Sequence, residues 1–292
     1  MVEATRVIRD VEGVSIGHTT LAPAKTGCTV IAFDQPALSA AEVRGAAPGT
    51  RELDLLQPGR LVQRADAILL TGGSAFGLRA AHGVVTALAN QGRGVPTPAI
   101  PVPIVPAAVI FDLANVTPEI PSEDDGALAF RTATPLSQVE TGSVGVGTGA
   151  TWGKMLGEDA AREGGFGMAQ VDVLGGTVTA CAVVNAFGLV QPRDDARGQL
   201  LEQANAAPFG QNTTLVSIIT DVRCDHGTLT RMCVAAHDAL ARTIWPSHTL
   251  ADGDVAFAST VNKGPVDRMA IMPLTIATEL AVEEAIRSAA GL

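Results

Sequence analysis

GQNTTLVSIITDV, residues 210–222, sets a polar turn directly against an apolar, β-branched run. Leu215, Val216, Ile218 and Ile219 read as a buried strand, and Asn212, Thr213 and Thr214 crowd its mouth. A threonine hydroxyl is a poor nucleophile at neutral pH unless a base lies against it; one solution makes the threonine an N-terminus, so that its own α-amine is that base. Such an amine titrates at about 7.7–8.0. It must first be released, and the Thr213 hydroxyl can release it by attacking the Asn212 carbonyl, with the strand holding the new terminus rigidly. From these residues alone an ordinary Asn-Thr turn leading into a strand remains open.

Upstream, GVSIGHTT (13–20), GCTVIAF (27–33) and ADAILLTGG (65–73) predict a strand-rich first third, with a polar loop through RGAAPGTRELDLL. SAFGLRAAHGVVTALANQG predicts a helix capped by Ser74 and ending near Gly92. Five prolines between Pro96 and Pro106 exclude a helix or central strand there and leave an extended wall segment feeding a short strand, AAVIFD. PEIPSEDDGA reads as an exposed acidic stretch. Residues 173–192 are uncharged and long enough to span a bilayer, but their glycines, Asn185 and Pro192 fit two strands around an Asn185-Ala186-Phe187-Gly188 turn better. Residues 193–211 are polar and turn-rich, a surface linker or loop. TLTRMCVAAHDALARTIW (228–245) has helical spacing with one buried face, ADGDVAFAST is a loop into a strand, and TIATELAVEEAIRSAA is a closing amphipathic helix. No repeat or heptad is visible, and the mixed order of elements favours α/β or α+β layering in one compact domain over 1–292.

Composition narrows the function. The 292 residues are 47% hydrophobic and 17% charged, with 31 glycines and a mean hydropathy of +0.27, which suits several buried layers or subunit burial in an oligomer. A net charge of -10 and a pI near 4.9 argue against nucleic acid and anionic membranes, which are gripped by clustered Lys and Arg. Cys28, Cys181, Cys224 and Cys233 form no C-x-x-C pair, and MVEATRVIRD does not resemble a signal segment, so a cytoplasmic protein with reduced thiols is expected.

Several motifs fail on spacing. GSVGVGTGATWGK has Met155 after Lys154 and too short a gap for a phosphate loop, and its G-x-G-x-x-A is weak in so glycine-rich a chain. TGGSAFG misses the serine-hydrolase elbow by one residue, because Gly77 stands where Phe76 would have to be glycine. His18, His82, His226, His237 and His248 form no ligand set. No metal or cofactor is expected.

Taken in order, GVSIGHTT, AAEVRGAAPGTRELDLL, ADAILLTGGSAFGLRAAHGV, PVPIVPAAVIFDL, GSVGVGTGA, AVVNAFG, NTTLVSIITD and AAHDALARTIWPSHTLADGDVAFA resemble the DmpA family of self-processing aminopeptidases and amidases. That family includes β-aminopeptidases and the nylon-oligomer hydrolase NylC. The resemblance implies an α+β fold, a four-layer αββα sandwich similar to N-terminal-nucleophile hydrolases, cleaved into residues 1–212 and 213–292. It implies Thr213 as nucleophile, Asn185 as oxyanion donor, and Asp252 and Asp254 as groups orienting the nucleophile or its amine. Lys154 matches a lysine of the NylC-like segment, although a solvated lysine at a strand end is an equal reading. Phe111, Gly72 and Gly73 fall against the substrate. Phe111 departs from the family, whose members carry tyrosine there, and the chain has no tyrosine at all. The activity implied is hydrolysis of small peptides or amino-acid amides, with Asp252 and Asp254 favouring a free amine. Nylon-oligomer-type endo-amidase, acyl transfer as in ornithine acetyltransferases, and a non-catalytic scaffold are the alternatives. A homo-oligomer, a tetramer by resemblance, is expected.

Overall fold

The structure, a computed structural model, describes residues 3–113, 119–191, 212–262, 264 and 268–292. Its organising element is an 18-residue strand. After β1 (Val14–Leu21), the chain turns back as β2 (Thr26–Val43), antiparallel to it. Residues Cys28–Ala32 of β2 also pair with β3 (Arg64–Thr71), and Leu38–Val43 pair with the late strand β8 (Val255–Thr260). Between Ala32 and Ala37 the β2/β3 register shifts, around exposed Asp34 and Gln35 and around Pro36, which has no N–H to give to a ladder.

The remaining strands extend the sheet from β8. β7 (Thr213–Thr220) lies parallel to β8, and the hairpin β5 (Phe166–Val173) and β6 (Gly176–Asn185) lies beyond it. Past β3, β4 (Ala107–Val109) pairs in parallel and then with Thr50–Arg51 at the edge. Among the described residues, the longer helices flank the strands: α1 (Ala80–Asn90), α2 (Glu123–Arg131), α3 (His226–Thr243) and α4 (Arg268–Ala289).

Alternation along the strands assigns each face to a separate core. Ile31, Phe33, Ile68 and Leu70 pack against Phe166, Cys181, Val183, Leu215, Ile219 and Phe257, so the two halves of the sheet meet face to face. Cys28, Val30, Ala67 and Leu69 point the other way, onto Ala80, Val84 and Leu88 of α1 and Ala129 of α2. Val178, Ala180, Val216 and Ile218 point outward from the second half, onto Met232, Ala236, Ala281 and Ala285 of α3 and α4. Three cores between four layers are the expected αββα sandwich. Helices α1 and α2 touch through glycine: a Cβ on Gly83 would lie 1.7 Å from the Glu123 carbonyl oxygen, and one on Gly126 2.0 Å from that of Ala80.

Three local expectations are corrected. The hairpin turn is Leu174-Gly175, both at positive φ (53° and 79°), as a two-residue turn between twisted strands requires; Asn185 ends β6, and the short Leu189–Val190 strand pairs with Ile244–Trp245. Ser74 does not cap a helix: it is the first residue of a single turn, Ser74–Gly77, entered through Gly73. The acidic stretch keeps Glu119, Glu123 and Asp124 exposed and also starts α2, whose N-cap Ser122 and Asp125 form a reciprocal capping box. The closing helix starts at Arg268 rather than at Thr275. The expected loop over 193–211 lies outside the described residues. Among the described residues no helix is long and apolar enough to cross a membrane.

Candidate active site

Parallel pairing of β7 with β8 brings the starts of both strands together, and the pairing continues outward to an Asn212/Asp252 bridge. The Asp252-Gly253-Asp254 run therefore lies alongside Asn212-Thr213-Thr214. On the opposite side of β7, Asn185 is the register partner of Thr213. Thr213, Asn212, Asn185, Asp252 and Asp254 are all at most 3% exposed.

The Asn212 carbonyl oxygen accepts two hydrogen bonds, from the Thr213 hydroxyl and from the Gly253 N–H at 3.1 Å. A hydroxyl bonded to the carbonyl of its own preceding residue stands at the edge of that carbonyl group, within reach of its carbon. The second donor polarises the same C=O bond and lies where an oxyanion would form. Gly253 has to be small: a Cβ there would be 2.7 Å from Thr213 Oγ1 and 2.6 Å from the Ala47 carbonyl oxygen.

Asp254 fixes the backbone just past Thr213, since its Oδ1 accepts the Thr214 N–H at 2.6 Å. Its Oδ2 accepts the backbone N–H of His248 at 3.1 Å and His248 Nδ1 at 2.7 Å. Asp252 Oδ2 accepts from the Thr249 N–H at 2.9 Å and hydroxyl at 2.6 Å, and Oδ1 lies 3.5 Å from the Phe187 N–H. Burial, then the neighbouring Asp254 charge, pushes Asp252 up to about 6. Three of the four carboxyl oxygens accept from protein donors at 3.1 Å or less, and Asp252 Oδ1 has the Phe187 N–H alone, at 3.5 Å.

Asn185 is held at three points. Its Oδ1 accepts the Thr151 N–H at 3.1 Å and the Lys154 ammonium at 2.7 Å, while Nδ2 donates to the Phe111 carbonyl at 2.9 Å. A side-chain amide has two N–H donors, so one remains for a reacting oxygen. Lys154 is half-buried, with its ammonium on Asn185 Oδ1. Phe111 takes part through its main chain.

Sequence reasoning missed Asp112. Its carboxyl accepts from the Gly73 N–H at 2.7 Å and the Thr26 hydroxyl at 2.6 Å; burial raises it, and those bonds and the Lys154 charge partly offset the rise. Gly72 and Gly73 serve this contact: a Cβ on Gly72 would lie 2.2 Å from both Asp112 Oδ2 and Thr26 Oγ1. His248 and Gly253 were also missed, though both fall inside the SHTLADGD stretch that carries the two aspartates. Among the described residues no group of three or more His, Cys, Asp or Glu could hold a metal ion.

Comparison with known proteins matches residues 6–290 to the model of peptidase family S58. An uncharacterized aminopeptidase of Mycobacterium tuberculosis is 38% identical, over 97% of this chain and 90% of its own length. The 6-aminohexanoate-oligomer endohydrolase of an Agromyces strain is 30% identical, over 87% of this chain and 74% of its own. Among solved structures, a Burkholderia β-aminopeptidase superposes with a TM-score of 0.70 at 23% identity, over 96% of this chain and 84% of that one. The L-aminopeptidase D-Ala-esterase/amidase of Ochrobactrum anthropi, described as a variant of the Ntn hydrolase fold, superposes at 0.73 with 19% identity and the same coverage.

Proposed function

Since this chain belongs to peptidase family S58, we propose that Thr213 is its nucleophile and that cleavage of the Asn212–Thr213 bond activates it. The chain is an enzyme that hydrolyses peptide or amide bonds in the manner of N-terminal-nucleophile hydrolases. The observation that carries the assignment to Thr213 is the doubly bonded Asn212 carbonyl, with the Thr213 hydroxyl on one side and the Gly253 N–H on the other.

In the self-cleavage, Oγ1 of Thr213 bonds to the Asn212 carbonyl carbon and the C–N bond breaks. Nitrogen takes up the proton that the hydroxyl gives away. Water then hydrolyses the ester, leaving a carboxylate on Asn212 and a free hydroxyl and α-amine on Thr213. Residues 1–212 and 213–292 remain one fold, because β7 is paired on both sides by strands that stay in place. In turnover the α-amine accepts the hydroxyl proton as Thr213 attacks the substrate carbonyl, and returns it to the leaving amine. The free N–H of Asn185, held by Lys154, and the vacated Gly253 N–H receive the oxyanion.

The substrates are small peptides or amino-acid amides cleaved after a free N-terminal residue, a reading supported by the aminopeptidase names of the more similar relatives. Internal cleavage of amide oligomers is the second reading, supported by the relative with endohydrolase activity in its name. Assays on paired substrates, an amino-acyl amide with a free amine and its N-acetylated form, separate the two. Activity on the free amine alone supports aminopeptidase action, and equal activity on both supports the endohydrolase. The same reading includes a homo-oligomer, supported by exposed Met269, Met272 and Ile276 along α4, and a cytoplasmic location, supported by four free buried cysteines.

A further inference from the structure

Two buried carboxyls flank Gly253, beside the bond whose acyl shift is proposed above. That shift is proton-neutral overall: the hydroxyl loses one proton and the nitrogen gains one, so a carboxyl pair carrying one proton offers both an acceptor and a donor. Two protons on the pair leave no acceptor for the hydroxyl, and none leave no donor for the nitrogen. What decides which carboxyl carries the charge is the set of cations near them.

Among the described residues, the side chain on the Asp254 carboxyl is that of His248, through Nδ1 at 2.7 Å, and its backbone N–H is on the same oxygen. Among the described residues no cation bonds to Asp252, whose partners are the neutral Thr249 and the Phe187 backbone. From α3, His237 packs edge-on against the His248 ring, with centroids 4.9 Å apart, and its Nε2 binds the Glu42 carbonyl. Burial lowers His237 to about 4, so it is neutral and adds no charge. From the end of β2, Arg44 is paired to Glu42 at 2.9 Å, and its backbone N–H meets the Asp254 carbonyl oxygen.

Resting on the self-cleavage proposed above, we infer that His248 is a positioning residue that places the negative charge of the Asp252/Asp254 pair on Asp254 and leaves the exchangeable proton on Asp252. The electrostatics agree. Burial pulls the His248 imidazole down, the Asp254 hydrogen bond and charge outweigh it, and the net direction is upward. His248 thereby sets the pH window in which the chain processes itself.

The test follows cleavage of freshly made full-length chain by intact mass from pH 5 to 9, for wild type, His248→Asn and His248→Ala. Asn keeps a donor for Asp254 without the charge. Removing a cation about 3 Å from a carboxylate raises the pair's affinity for protons, so the processing optimum of His248→Asn is expected about one pH unit above that of wild type. Its rate at its own optimum should stay within about threefold of wild type, with His248→Ala slower still at every pH. An unchanged optimum, whether or not the rate falls uniformly, overturns the inference. A direct reading guards against variants that fold poorly: in uncleaved Thr213→Ala, the His248 ring should titrate above the ordinary imidazole value by NMR, and fall when Asp254→Asn is added. Titration at or below the ordinary value overturns the inference as well. Wild type that never cleaves at any pH refutes the self-cleavage itself, a result distinct from both.

Discussion

Lys154 and Asn185 show how a charged side chain serves a neutral one. The ammonium on Oδ1 draws electron density from the amide and makes the remaining Nδ2 proton a better donor to an oxyanion. Lys154→Met keeps much of the stem but removes that bond, and should lower kcat by about 10²-fold with little change in KM, the signature of an interaction used in the transition state. A loss confined to KM would instead make Lys154 a substrate contact. Gly253→Ala brings a methyl against Thr213 Oγ1 and the Ala47 carbonyl, and should slow self-cleavage at least tenfold in a folded chain, read by intact mass. The clustering of Thr213, Asn185, Asp252, Asp254 and Lys154 was legible because each sits in a worded motif of the sequence. Asp112, His248 and Gly253 were not. Asp112 acts on Gly73 and Thr26, 39 and 86 residues away, and His248 reads as one histidine of five until the turn before β8 folds it onto Asp254.

At the scale of elements, apolar runs bounded by turn signals were read correctly as strands, and the hairpin turn was misplaced. Asn-Ala-Phe-Gly carries as strong a turn signal as Leu-Gly-Gly, and only the pairing of β6 with both β5 and β7 reveals which one reverses the chain. Helix α2 was overlooked because its first turn is three acids. Those acids suit the positive end of a helix, and Ser122 with Asp125 closes it. The extent of β2 past Pro36 was likewise hidden, since a proline marks a break locally while β8 restores pairing a few residues on. The contact of α1 with α2 yields a prediction at this scale. Gly83→Ala drives a methyl into the Glu123 carbonyl and should cost about 1–3 kcal/mol, lowering Tm by several degrees while leaving self-cleavage intact once folded. An unchanged Tm would mean that the two helices are not packed backbone to backbone.

For the molecule as a whole, three cores bury groups whose protonation must change on unfolding. His18 and His237 are both lowered to about 4, chiefly by burial, so each supplies stability at neutral pH that is lost as pH falls from 6.5 through 4, about 3 kcal/mol apiece at most. Asp252, raised to about 6, works in the opposite sense and favours folding as pH falls from 6 toward 3.8. Asp66 and Asp112, also raised by burial, act in the same sense as Asp252, so the histidine contribution is read by difference. Wild type should lose more of its urea midpoint between pH 6.5 and 4 than His237→Gln, which can still donate to Glu42; the same pH dependence in both chains contradicts a share carried by His237. The layered architecture was legible in the sequence through its motifs, whereas the pairing that unites the sheet depends on β2 reaching from β1 to β8. Everything proposed for the site rests on one bond between two of its residues. Intact mass spectrometry of the purified chain over several days, with N-terminal sequencing of each species, tests it most directly. The account predicts two fragments, residues 1–212 and a second that begins at Thr213, and a single chain for Thr213→Ala. A wild-type chain that stays whole, a break at another bond, or fragments that persist in Thr213→Ala would contradict it.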